Sequence, residues 1–108
     1  MRKLEQQMNS AIRNRKAWAG SNTQVVISDS GHTATVYLHG NLIAKVDMNN
    51  DLTMFDGGWQ SVTTKSRLNA LCNEFATGRA VFQKNFNWFV KLFDGSSIPF
   101  YSGITVGY

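Results

Sequence analysis

The sequence predicts an α+β domain: a twisted antiparallel sheet with two helices packed on it, in the order α-β-β-β-β-α-β-β-β. Three observations lead there. Apolar residues recur with a helical period near the start and again around residue 70, and the period is two in the stretches that follow each. Short polar turns rich in Gly, Asn, Asp and Ser join the alternating segments, which makes the strands a meander rather than parallel crossovers. At 108 residues the chain is long enough for one core and too short for two.

In chain order, residues 1–20 read as a basic amphipathic helix over 2–18, with Leu4, Met8, Ala11, Ile12 and Trp18 on one stripe and Gly20 as its stop. A β-meander fills residues 23–56. Its strands are Gln24–Ser28, Thr33–His39, Asn41–Met48 and Leu52–Phe55, separated by turns at 29–32, 39–41 and 49–51. Strict alternation in the third strand sets Leu42, Ala44 and Val46 opposite Ile43, Lys45 and Asp47.

The central helix covers 63–77. Leu68, Leu71, Cys72 and Phe75 fall at i, i+3, i+4 and i+7, Thr63 or Thr64 can cap the first turn, and Gly78 lies past the far end. Aromatic-rich strands occupy residues 80–106: Ala80–Gln83, Asn85–Phe93 and Ile98–Tyr101, with a last short strand at Ile104–Val106. Pro99 cannot donate to a ladder, so its strand belongs at an edge.

Composition narrows the function classes. With 43% hydrophobic and 17% charged residues the chain is expected to fold throughout. Its single cysteine, Cys72, allows no internal disulfide and no multi-cysteine zinc site, and its place on the apolar stripe makes it a core residue. No apolar run approaches the ~20 residues of a membrane span, and no signal-peptide core follows the basic start, so a cytoplasmic protein without membrane association is expected. His32 and His39 fall in or beside turns, the carboxylates are scattered, and no nucleophile or phosphate-loop motif is present. The expectation is a binding protein, not an enzyme, with no metal and no cofactor.

Charge points to the partner class. The net charge is +4, and five of the eleven cations, against one carboxylate, lie in residues 1–20. Arg13, Arg15 and Lys16 therefore make a basic helical face suited to phosphates or an acidic protein surface. A second candidate is Thr63, Thr64, Lys65, Ser66 and Arg67. Cations in a first helical turn meet the positive end of the dipole, which would rather meet an anion, and free N–H groups there can seat a phosphate or a partner's carboxylate. The third candidate is the aromatic strand. Phe86, Trp88, Val90 and Leu92 share one face and read as core, whereas Phe89 lies on the other face with Lys91, and Lys84 stands just upstream. Rings beside lysines on a sheet can stack bases while the ammonium groups meet phosphates.

The run G-G-W-Q-S-V-T-T-K-S-R-L-N at 57–69, followed by F-Q-K-N-F-N-W-F-V at 82–90, resembles a group of small tailed-bacteriophage proteins over about residues 35–93. The resemblance implies a compact phage-encoded protein acting in the cytoplasm of an infected bacterium. Two functions are expected from these readings. One is nucleic-acid binding through the basic helix and the Thr63–Arg67 helix start. The alternative is a host-takeover or anti-defence role, inhibiting a bacterial protein such as a nucleic-acid-processing or CRISPR-type complex. The aromatic strand also offers a surface that a second copy could cover, giving a homo-oligomer.

Overall fold

The computed structural model of the protein describes residues 2–107, and these form two helices and nine strands in two antiparallel sheets. The predicted α+β class holds. The first helix, α1, spans Lys3–Arg13, and β1 (Trp18–Gly20) follows it directly. Then come β2 (Thr23–Ile27), β3 (Ala34–Leu38), β4 (Asn41–Val46) and β5 (Leu52–Met54). Helix α2 spans Val62–Phe75, and the chain ends in β6 (Ala80–Lys84), β7 (Asn87–Lys91), β8 (Ser97–Pro99) and β9 (Ile104–Val106). Strands β1 to β5 run as a meander, and β9 returns to pair with β5. Strands β6, β7 and β8 form a separate three-stranded sheet, whereas the sequence suggested a single one.

Both helices pack against one face of the six-stranded sheet. Met8, Ala11 and Ile12 of α1 and Leu68, Leu71, Cys72 and Phe75 of α2 are buried with Val25, Val36, Val46, Leu52, Met54 and Ile104 from the strands. The inner face of the small sheet contributes Val81, Trp88 and Val90 to that same cluster. Cys72 is a core residue as predicted, and burial pushes its thiol up to about 12, which makes it a poor nucleophile.

Helix α1 stops five residues short of its expected end. The N–H of Arg15 bonds the carbonyl of Ile12 at 3.1 Å and that of Lys16 bonds Ala11 at 2.9 Å, the crossed pair of a Schellman stop. Arg15 takes the left-handed position there, at φ +50°. This reversal sends Trp18 out of the helix and into pairing with Val25. The cap of α2 is likewise displaced, to Ser61, whose Oγ accepts the Thr64 N–H at 3.0 Å. In β4 the predicted alternation breaks at a bulge opposite Val36 and Tyr37, so Ile43 and Ala44 are buried side by side.

Two polar contacts set the positions of the outer elements. Arg67, 3% exposed, pairs with the equally buried Glu5 at 2.8 Å, joining α2 to α1. Its other nitrogens donate to Thr23 Oγ1 at 3.0 Å and Asn22 Oδ1 at 3.2 Å, and Ser66 Oγ donates to the same Glu5 oxygen at 2.6 Å. Burial alone would push the Glu5 carboxyl up, but the Ser66 and Arg67 hydrogen bonds and the arginine charge together hold it below its ordinary value. The second contact is Asn69, which takes the place of a neighbouring strand along β6. Its Nδ2 donates to the Val81 carbonyl at 2.9 Å and its Oδ1 accepts the Val81 N–H at 2.8 Å.

Glu5→Gln leaves the arginine charge buried without its counter-ion and should cost about 3–5 kcal/mol in urea unfolding at neutral pH. The pair's contribution is fully present above the ordinary carboxylate range and is lost as pH falls through the depressed folded value. The variant should therefore show a flatter loss of stability below about pH 5 than the parent; equal acid slopes would contradict the assignment. Asn69→Ala strands the Val81 N–H and carbonyl and should cost about 1–3 kcal/mol. Hydrogen exchange should speed up first in β6.

Candidate nucleic-acid interface

The three sequence candidates meet different fates in the fold. Arg13, Arg15 and Lys16 do not form one open basic face. Arg13 Nε pairs with Glu74 at 3.0 Å and its guanidinium lies 5.6 Å from the centre of the Phe75 ring. That hydrogen bond is the main reason the Glu74 carboxyl sits below its ordinary value. Arg15 donates to the Ile12 carbonyl and, at 2.7 Å, to the Asp47 carbonyl, so it clips the helix end to the β4–β5 turn. Lys16 is exposed beyond the helix stop.

The start of α2 is not an open anion seat either. Thr64 is buried, with Oγ1 hydrogen-bonded to Ser61 Oγ and donating to the Trp59 carbonyl. Ser66 and Arg67 both turn to Glu5, an anion supplied by the protein itself. The carboxylate expected beside these cations is therefore present, but it is internal. Thr63 and Lys65 remain partly exposed.

Lys84, Phe89 and Lys91 are brought together. In the small sheet Phe82 pairs with Phe89, which pairs with Pro99 across to β8, so two rings and a proline form a row. Lys91 stands in the register of Ala80 and Ser97 on one side of that row, and Lys84 in the register of Asn87 on the other. Period-two alternation puts all of these side chains on one face, because Val81, Trp88, Val90 and Ile98 take the inner one. The Phe82 and Phe89 rings stack with centroids 5.6 Å apart and planes inclined by 22°, and both remain partly exposed. On the other face of the sheet Trp88 is buried and meets Phe100 edge-on at 5.5 Å.

Just before β6, the Arg79 guanidinium lies 5.3 Å from the centre of the exposed Phe93 ring. Gly78 turns the chain into β6 on a left-handed backbone, φ +89°, which favours glycine. The outer face thus carries Lys84 and Lys91, and the first carboxylate after them is Asp94 in the next turn. Asp94 is held ionised by hydrogen bonds from the Ser96 side chain and backbone.

Phe86 departs from its expected place in the core. It lies in the β6–β7 turn, fully outside the alternation that buries Trp88 and Val90. Phe82 as partner of Phe89 went unrecognised in the sequence, although alternation through Val81 would have placed it there. A separate cleft of about 320 Å³ opens beside the β4 bulge, between Leu38, His39 and Ile43 on one side and Asp56, Trp59 and Thr64 on the other. Among the described residues no three His, Cys, Asp or Glu side chains gather as a metal site would require, and no helix is long and apolar enough to cross a membrane.

No curated protein and no solved structure matches the chain. The model of one protein family does, over residues 1–107, and accords with the phage resemblance read from the sequence. The chain belongs to the Kyanoviridae Gp96 protein family, a family of phage proteins.

Proposed function

We propose that this phage protein binds single-stranded nucleic acid on the outer face of the β6–β8 sheet, inside the infected cell. The observation that carries the reading is the stacked Phe82–Phe89 pair framed by Lys84 and Lys91 on an uncovered sheet face. Unpaired bases offer their faces to such rings, at about 1–3 kcal/mol per base, while flanking cations follow the backbone. A duplex hides those base faces, so single strands are the better fit. The mechanism is equilibrium binding, with sequence tolerance because every base has a stacking face. Lys16 and Lys65 lie on other parts of the fold and add only long-range attraction.

A protein partner is the second reading, and one feature favours it. Trp59 and Val62, 74% and 72% exposed, lie three residues apart at the start of α2. An apolar anchor of this kind suits a protein interface.

Titration with single-stranded and duplex oligonucleotides, read by tryptophan fluorescence, tests the first reading, since Trp88 lies on the other face of that sheet. Single strands should bind better, with log K falling against log salt by about 0.7 for each cation that meets a phosphate. Lys84→Glu with Lys91→Glu should abolish most of the affinity while leaving the Tm near that of the parent. Phe89→Ala should weaken binding by about 1–3 kcal/mol. Salt-insensitive affinity, or full binding by the double variant, would refute the site.

A further inference from the structure

We infer that Phe86 is a wedge that enters between neighbouring bases of the bound strand and unstacks them, an inference that rests on the outer-face reading above. Its backbone is the first argument. Asn85 and Phe86 are the two central residues of the β6–β7 hairpin turn, at φ +52° and φ +67°. A turn of this type requires the left-handed region at both places, where Asn and Gly are at ease and a bulky side chain is not. Asn85 suits its position; Phe86 stands where glycine is the favoured residue.

Exposure is the second argument. Phe86 is 93% exposed, above Phe93 at 75% and Trp59 at 74%, so its ring gains almost no packing within the fold. A residue that strains the backbone and leaves a ring in water weakens the free protein twice over. Strain of this kind is retained where an external contact uses it.

The surroundings select the occupant. The hairpin from Ala80 to Lys91 carries Lys84 and Lys91 and no carboxylate, and Arg79 immediately precedes it. A basic hairpin complements a polyanion, and apolar side chains at such tips open base steps by insertion. The tip lies about 10 Å beyond the Phe82–Phe89 pair, from a rise of roughly 3.3 Å per residue, so one short strand spans both. Asn69 holds β6 to helix α2 through both backbone groups of Val81, which gives the hairpin a fixed base to act from.

The test uses the full chain and an adenine-rich single strand carrying one 2-aminopurine, whose fluorescence rises when it is unstacked. At saturation the parent protein should raise that signal severalfold. Phe86→Gly fits the left-handed backbone, so its Tm should equal or exceed the parent's, while the signal rise disappears and affinity falls by about fivefold or more. An undiminished rise with Phe86→Gly overturns the wedge. If Lys84→Glu with Lys91→Glu still removes binding in that case, the outer-face site survives without it. A lower Tm for Phe86→Gly would make Phe86 a packing residue and also overturn the proposal. Absence of oligonucleotide binding by the parent removes both readings together.

Discussion

The buried Glu5–Arg67 pair is the constraint on which the arrangement of this fold depends. Arg67 reaches three elements at once: α1 through Glu5, the first residue of β2 through Thr23, and the β1–β2 turn through Asn22. Removing two charges from water is costly, and their attraction offsets that cost only with good geometry and further hydrogen bonds. Here Ser66 supplies one to the carboxylate and Thr23 and Asn22 supply acceptors to the guanidinium. The bonded charge pair ties α1, α2 and the start of β2 to one another on the sheet.

From that anchored layer the rest follows outward. Helix α2 is held at its start by Ser61 and crosses over β4 and β5, and its outer side carries Asn69 to the edge of β6. The two Asn69 hydrogen bonds tie the edge strand β6 to helix α2. The small sheet is thereby oriented with Val81, Trp88 and Val90 inward. Its other face, with Phe82, Phe89, Lys84 and Lys91, has nowhere to go but outward. That exposed face is a consequence of how the core was closed.

The sheet face also shows how a small domain combines rigidity and exposure. The Phe82–Phe89 stack lies on the outer face of a sheet whose inner face holds Trp88, itself met edge-on by Phe100. Two rings stacked on each other have less freedom to lose than isolated exposed rings. Two of the eleven cations, Arg13 and Arg79, lie over the rings of Phe75 and Phe93.

What the sequence determined by itself was local and periodic. The stripe Leu68, Leu71, Cys72, Phe75 and the alternation through residues 23–56 fix helix and meander, because burial on one face selects the period. Alternation likewise put Phe89 and Lys91 on a common face. Tertiary structure decided what those residues are used for. Lys65, Ser66 and Arg67 read as a seat for an outside anion because Glu5 is 62 residues from Arg67 in the chain and only the α1–α2 packing brings it to 2.8 Å. Arg15 looked like part of a basic face, yet the helix stop and the Asp47 carbonyl claim it. Phe86 looked like core because strand alternation was carried through a two-residue turn, where left-handed backbone ends the alternation. Charges and aromatics are legible in sequence as chemistry, but long-range pairing decides which of them face inward, since each buried polar group must find its partner wherever the chain brings one.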